Sequence, residues 1–307
     1  MIAVVAALAP IFLLIVIGYG LRRSGTVPDA FWPPAEKLTY YLFFPALLID
    51  STARADLEGV DLLGLGGSLV AAMLLVAATL LLLRRAITPD GPAFTSVFQG
   101  AIRVNTYVGL AAGAALFGRE GTALMAVGVI AIVPLVNVLS VVALGRWGTS
   151  PTTGWRSAAI AVGKNPLIVA VLIGAALNLL GVHAIPVLTP LMAILGAASL
   201  PLGLLAVGAG LDLPAARAAG GKVVVSSIVR LGVVPGLTLV FGWQAGLAAM
   251  PLAVAVLYNG LPTSASAYVL SRQMGGDHTL MAGIITAQTL AAAVSLPLWL
   301  LLLGVGG

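Results

Sequence analysis

The chain repeats itself at an offset of 156 residues, and this repeat restricts the possible folds more than any other feature. Proline, glycine and aspartate recur in one register, and such matches arise by chance less often than matches of leucine or alanine. Because the offset is about half of the 307 residues, we infer that the chain consists of two copies of one hydrophobic unit. In membrane proteins, such duplication is typical of secondary transporters, whose binding site lies between the repeats. The matching pairs are Pro10 and Pro166, Gly18 and Gly174, Gly25 and Gly181, Pro34 and Pro190, Pro45 and Pro201, and Asp56 and Asp212.

The composition indicates a polytopic membrane protein. The chain is 60% hydrophobic and 8% charged, with a mean hydropathy of +1.12, whereas soluble domains carry about 25% charged residues. It has no cysteine, which excludes disulfides, thiolate catalysis and Cys-ligated metals. Two histidines, His183 and His278, are too few and too far apart in sequence to suggest a metal cluster. We therefore expect no metal and no other cofactor.

Ten apolar runs, separated by charged and turn residues, have about the length of 20 residues that a helix needs to cross a bilayer. Five spans per repeat is an odd number, so the second repeat must enter the membrane from the opposite face. The predicted fold is an all-α membrane protein of ten transmembrane helices, in two inverted five-helix repeats at 1–144 and 160–307, joined by a linker at 145–159. The predicted spans are 2–21, 36–53, 61–83, 93–117, 121–144, 160–181, 186–211, 221–241, 248–272 and 279–303.

The distribution of basic residues orients these spans, because cytoplasmic loops carry an excess of Lys and Arg. With the N-terminus outside, the inside loops hold 11 of the 15 basic residues, and the outside loops hold only Arg54 and Arg119. We therefore expect a multi-pass protein of the bacterial inner membrane with both termini extracytoplasmic. The net charge of +5 is then explained by the basic residues of the cytoplasmic loops. The expected partner is therefore the lipid bilayer and not nucleic acid.

Polar and helix-breaking residues interrupt the fourth and ninth spans at matching places. Proline inside a span removes a backbone hydrogen bond, and unwound backbone is tolerated in the bilayer only where it lines a protein cavity. The N-termini of the interrupted helices would present partial positive charge to an anion. The alternative is a proline kink packed against its neighbours. We predict that the two broken helices cross at a substrate site, with Asn105 and Asn259 at its centre. The predicted substrate-binding residues are Ser51, Arg103, Asn105, Asn137, Asn259, Gly260, Pro262, Thr263 and Gln288.

Two arginines fall inside predicted spans, Arg103 in the fourth and Arg230 in the eighth. Insertion of an Arg at the centre of a membrane helix costs about 2.5–3.5 kcal/mol, so both side chains should face protein or water. Arg103 would either attract a carboxylate or donate to carbonyl groups of the unwound segment. Arg230 is a candidate for charge coupling, although its long stem could instead reach the membrane interface.

Further polar residues in the spans have both a functional and a structural interpretation. Asp50 is the one acid within an apolar stretch, which makes it a candidate proton carrier. Alternatively, Asp50 pairs with Arg54 four residues later along the helix. Gln288 and Asn137 lie on spans beside the predicted breaks, where they would complete the site or form ordinary interhelical hydrogen bonds.

Three segments resemble the auxin efflux carrier family in its bacterial branch. They are 259–268 (Asn-Gly-Leu-Pro-Thr-Ser-Ala-Ser-Ala-Tyr), 42–48 (Leu-Phe-Phe-Pro-Ala-Leu-Leu) and 103–106 (Arg-Val-Asn-Thr), and the resemblance extends over essentially the whole chain. The family includes the plant PIN-FORMED auxin exporters and bacterial permeases for malonate and other organic anions. The resemblance implies a bile-acid-symporter-like architecture, with a scaffold domain of spans 1, 2, 6 and 7 and a transport domain of spans 3–5 and 8–10. It also implies homodimers and an elevator-type movement.

One departure from the family pattern concerns the helix breaks. Many relatives have proline at the crossover in both halves, whereas here only Pro262 is present and the first half has Gly109-Leu110-Ala111 instead. The fourth span should therefore be less sharply broken than the ninth.

Together these features predict a secondary transporter of small organic anions, such as auxin-like or dicarboxylic acids. One rival is a sodium-coupled symporter of the bile-acid type, which would use acidic or amide clusters, but the interiors of the predicted transport-domain spans contain no acid. A rival of another class is a membrane sensor without transport. The sequence lacks Walker motifs, paired catalytic carboxylates and nucleophile elbows, so an ATP-driven pump or an enzyme is not expected.

Overall fold

The computed structural model describes residues 2–56, 60–149, 165–218 and 220–305, and their regular structure is entirely helical. Two π-helical turns, Thr39–Phe43 and Val229–Val233, and a 3₁₀ turn, Asp29–Phe31, accompany the α-helices. The α-helices are α1 (Ile2–Arg23), α2 (Trp32–Leu38), α3 (Phe44–Ala53), α4 (Leu62–Leu82), α5 (Arg84–Ile87), α6 (Gly91–Ile102), α7 (Thr106–Trp147), α8 (Pro166–Leu179), α9 (Leu188–Ala209), α10 (Leu213–Ala218), α11 (Gly220–Ile228), α12 (Val234–Gln244), α13 (Ala249–Asn259), α14 (Ser266–Met274) and α15 (His278–Leu302).

Six helical segments in the described ranges are long and apolar enough to cross a membrane, and α8 and α13 are shorter apolar helices. The prediction of an all-α, multi-pass membrane protein is thereby confirmed. The count of ten spans and their arrangement as inverted repeats stay predictions. The six segments are Val4–Arg23, Leu62–Leu82, Gly91–Trp147, Leu188–Ala209, Gly220–Gln244 and His278–Leu302.

The outer surface of the helices is apolar. Leu63, Leu82 and Leu179 are 89%, 86% and 87% exposed, and many other large aliphatic side chains are similarly uncovered. In water, contiguous apolar surface of this kind would favour aggregation. On a membrane protein the same side chains meet lipid tails, so their exposure agrees with the apolar composition.

Two groups of helices pack extensively. In one group, α1 lies against α9, and α3 lies against both α8 and α9. In the other group, α4 and α13 pack on α12 and α7, and α6 packs on α7, α11 and α15. These groups contain the helices expected for the scaffold and transport domains respectively, although the division into moving domains stays a prediction.

The long helix α7 is interrupted at Gly118, where φ is 63°. Glycine adopts this left-handed conformation without the steric cost that a Cβ would bring. The interruption lies between the fourth and fifth predicted spans, at 93–117 and 121–144. Of the predicted linker at 145–159, the part from 150 onwards lies outside the described residues.

Candidate functional site

The helical path of the second half is broken between α13 and α14. Helix α13 ends at Asn259, and α14 begins at Ser266 after a non-helical segment, 260–265. Proline at 262 has no N–H to donate to the carbonyl of Tyr258, and its ring disfavours helical backbone at Leu261. The local sequence therefore ends the helix in the middle of the predicted span.

The path of the first half is broken between α6 and α7, over the shorter segment 103–105. Asn105 starts α7 as its N-cap, because its Oδ1 accepts hydrogen bonds from the backbone N–H groups of Tyr107 (3.1 Å) and Val108 (3.3 Å). The backbone N–H of Asn105 donates to the carbonyl of Pro262 at 2.8 Å. The two breaks are therefore in direct contact.

Gln288, on α15, joins both breaks. Its Nε2 donates to the carbonyl of Gly100 on α6 at 3.0 Å, and its Oε1 accepts from the backbone N–H of Thr263 at 3.0 Å. The hydroxyl of Thr263 donates to the same Gly100 carbonyl at 2.5 Å, and Gln288 Nε2 also donates to Ser226 at 3.2 Å. All of these side chains are fully or almost fully buried. The network supplies partners to backbone groups that the interrupted helices leave without them.

Arg230 lies in the second π-helical turn and is completely buried. Its Nε donates to the carbonyl of Leu261 at 2.6 Å, its Nη2 to that of Tyr258 at 3.4 Å, and its Nη1 makes a long contact of 3.5 Å with the carbonyl of Ile102. Tyr258 lies in the last turn of α13, Leu261 belongs to the second break, and Ile102 is the last residue of α6. In this position the guanidinium donates hydrogen bonds to carbonyl groups at the C-terminal ends of both α6 and α13.

Arg103, the first residue after α6, is 8% exposed. Its Nη2 donates to the hydroxyl of Ser266 at 2.8 Å, and that hydroxyl lies 2.9 Å from the hydroxyl of Ser264. The Nε and Nη1 atoms of Arg103 are buried and have no hydrogen-bond partner among the described residues. A buried guanidinium with unused donors is suited to binding an anionic oxygen.

Aromatic side chains border Arg103 on the side of α2 and α3. The ring of Tyr107 stacks on Phe44, with centroids 4.5 Å apart and an interplanar angle of 16°. Tyr40 lies within electrostatic range of Arg103, and Tyr40 and Glu36 lie within that range of Tyr107. An anion at Arg103 would therefore have flat, weakly polar surfaces beside it.

Of the remaining predicted site residues, three lie at the second break and two have no hydrogen bond to either break. Asn259 is fully buried, and its Nδ2 donates to the carbonyl of Leu69 at 3.2 Å and to the hydroxyl of Thr238 at 2.7 Å, so its amide ties α13 to α4 and α12. Gly260 and Pro262 contribute backbone to the second break. In the described part of the chain, no hydrogen bond joins Asn137 or Ser51 to either break.

Several residues of the network were not predicted from the sequence. Ser226 donates to the carbonyl of Val97 at 3.3 Å, and Gln99 donates to Ser271 at 2.9 Å, so both connect α6 to neighbouring helices. Ser264 and Ser266 complete the surroundings of Arg103. The signal available was the density of serine and glutamine in otherwise apolar spans, of which the prediction included only Ser51 and Gln288.

Asp50 and Arg54 form the expected i,i+4 ion pair on α3, with Oδ1 and Nε 3.3 Å apart. Their side chains are 14% and 27% exposed, so each charge is partly removed from solvent. We expect Asp50→Asn and Arg54→Gln each to lower the melting temperature, because either change leaves one partly buried charge unpaired. The double variant should be no less stable than the worse single variant, and thermal unfolding of all four proteins measures this coupling. Strictly additive losses would contradict the pairing.

Comparison with known proteins agrees with this architecture. The profile of a family described as "Membrane transport protein" matches residues 155–300. An "Uncharacterized transporter" from Methanothermobacter thermautotrophicus is 25% identical over 306 aligned positions, which cover 94% of this chain and 95% of that protein. The second match includes both helix breaks, since it extends over nearly the full length.

The described residues form a helical bundle with an apolar surface and interrupted helices, which agrees with a membrane protein, and both comparisons support a transporter and not an enzyme. They also confirm the resemblance that the three sequence segments carry. The chain is similar to transporters of the auxin efflux carrier family.

Proposed function

We propose that this protein is a secondary transporter of small organic anions, and that its substrates are carboxylates such as auxin-like or dicarboxylic acids. The observation that carries the proposal is Arg103, whose buried guanidinium keeps two nitrogen donors without a protein partner among the described residues. Burial of an unsatisfied, charged donor is costly. A carboxylate bound at Nε and Nη1 would remove that cost.

The electrostatic surroundings favour an anion at the same place. Helices α7 and α14 begin at Thr106 and Ser266, beside Arg103, and each N-terminus carries partial positive charge. The hydroxyls of Ser264 and Ser266 add donors that can rotate towards a ligand. Arg230 contributes a second buried positive charge behind the breaks.

We further propose that the two broken helices cross at this site, in a ten-helix fold of inverted repeats. In this proposal α6, α7 and α11–α15 move with the substrate, together with α4, past a scaffold of α1–α3, α8 and α9. Such movement would carry Arg103 past the aromatic surface of Tyr40 and Phe44, which would contact the apolar part of the substrate. The resemblance to the family supports an elevator-type movement in a homodimer, with both termini extracytoplasmic.

Substitution of Arg103 tests the site. We expect Arg103→Gln to weaken carboxylate binding roughly 10- to 100-fold, because a hydrogen bond to a charged group contributes about 1.5–3 kcal/mol. Binding is measured by thermal shift of purified protein with malonate, succinate and an aromatic acid, since a ligand of the folded state raises its stability. Counterflow of the best ligand in proteoliposomes then measures transport.

Arg85→Gln is the matched control, because Arg85 is an exposed residue of the short helix α5. It should leave both binding and transport unchanged. Equal affinity of the wild-type protein and Arg103→Gln for the transported acid would overturn the site. Counterflow with and without a sodium gradient separates the proposal from a sodium-coupled symporter.

A further inference from the structure

The guanidinium of Arg230 binds three backbone carbonyls that come from two different helix ends. Leu261 belongs to the second break, Tyr258 lies in the last turn of α13 just before it, and Ile102 ends α6. Tyr258 is the residue whose carbonyl loses its i+4 donor because Pro262 has no N–H. Arg230 therefore replaces a hydrogen bond that the sequence of the break removes.

No carboxylate balances this charge in the described part of the chain, where the two ion pairs are Arg22 with Asp29 and Arg54 with Asp50. The compensation comes from carbonyl dipoles instead. The C-terminal ends of α6 and α13 each carry partial negative charge, and they face one buried position. Without a cation there, the carbonyl oxygens of Ile102 and Leu261 would lose the Arg230 donors in a buried, low-dielectric setting, and that of Tyr258 would keep only a long hydrogen bond of 3.4 Å from the N–H of Leu261, which is costly.

In the register of the predicted repeat, the first half of the chain has no arginine at the matching position. At the offset of 156 residues, the position matching Arg230 is Leu74, on α4. Leu74 is 44% exposed and presents an apolar side chain. A single arginine of the second half therefore serves the helix ends of both halves.

We propose that the carbonyl oxygens of Ile102, Tyr258 and Leu261 form a site for a monovalent cation, which the guanidinium of Arg230 fills as a tethered occupant. Arg230 is then a positioning residue: it holds the two breaks against each other and does not touch the substrate. The proposal does not depend on which anion is transported. Removal of the side chain should leave an empty site that accepts a small free cation.

Chemical rescue of Arg230→Ala tests this proposal. Its melting temperature should fall by several degrees, and millimolar guanidinium should restore at least half of the loss by occupying the vacated carbonyl site. Sodium and potassium chloride are tested at the same ionic strength, and rescue by either also supports a cation site. Choline chloride, whose cation is too large and lacks N–H donors, should give no rescue. Wild-type protein and Arg85→Ala should show no stabilisation by guanidinium.

Failure of guanidinium, sodium and potassium alike to stabilise folded Arg230→Ala would overturn the proposal. If Arg230→Ala gives no folded protein, Arg230→Lys and Arg230→Met replace it, since both keep a long side chain and only lysine keeps the charge. The lysine variant should then be more stable than the methionine variant. Equal stability of the two would also overturn the proposal. These measurements need no substrate, so their outcome is separate from that of the Arg103 transport assay.

Discussion

Replacing Gln288 with leucine is expected to produce a large loss of both stability and transport. The substitution keeps a similar volume but removes the acceptor of the Thr263 N–H and the donor to Gly100 and Ser226. A buried polar group left without a partner costs about 1–3 kcal/mol, and the Thr263 N–H lies in a fully buried position. Gln288 connects α15 to both breaks, so its loss should also raise the free-energy barrier to transport. Each increase of about 1.4 kcal/mol in that barrier lowers the transport rate tenfold. Thermal unfolding and proteoliposome counterflow measure the two effects.

Thr289→Val is the matched control for this substitution. Thr289 is adjacent on α15 and equally buried, but its hydroxyl donates only to the carbonyl of Ile285 in its own helix, at 2.7 Å. That carbonyl keeps its helical partner when the hydroxyl is lost, so the expected change in stability is small. Comparable losses in Gln288→Leu and Thr289→Val would show that the effect comes from general repacking of α15 and not from the link between the breaks.

The break in the second half could be predicted because its cause is covalent. Pro262 has no N–H and disfavours helix at Leu261, whatever surrounds it. The first break has no proline, and it was predictable only from the polar residues Arg103 and Asn105 in an apolar span. Its shorter length agrees with the expectation that the fourth span is less sharply broken.

The partners of the freed carbonyls could not be predicted, because they depend on which helix face points at the breaks. Arg230 lies in a π-helical turn, and such a turn changes the direction of every side chain that follows it. No residue type in Val229–Val233 marks that turn in advance. Asn259 illustrates the same limit: its Nδ2 donates to Leu69 and Thr238, partners that its residue type does not reveal, and its role in substrate binding stays a prediction. Residue type identifies a polar position in a span, whereas its partner depends on helix rotation.

Close packing between helices also depends on which face of a helix points at its neighbour. A substitution on that face is expected to have a large effect on stability. Gly18 and Gly20 lie two residues apart on α1, but only Gly18 faces α9, where a Cβ would collide with the backbone of Leu205. At Gly20 a Cβ would meet nothing within 4 Å. The contact is reciprocal, because a Cβ on Gly208 of α9 would collide with the backbone of Ile15. Small residues at such positions let membrane helices approach closely.

Gly18→Ala is therefore expected to separate α1 from α9 and to destabilise the protein by about 1–3 kcal/mol, the usual cost of overpacking a dense contact. The clash is with backbone atoms, which cannot move aside without shifting a whole helix, so relief by rotamer changes is not available. Gly20→Ala should be neutral or stabilising by up to about 1 kcal/mol, since alanine favours helix over glycine. Thermal unfolding of the two variants in the same detergent measures the difference. If both substitutions proved equally harmless, α1 and α9 would not be held together through Gly18, and the close approach of these two helices would have to be revised.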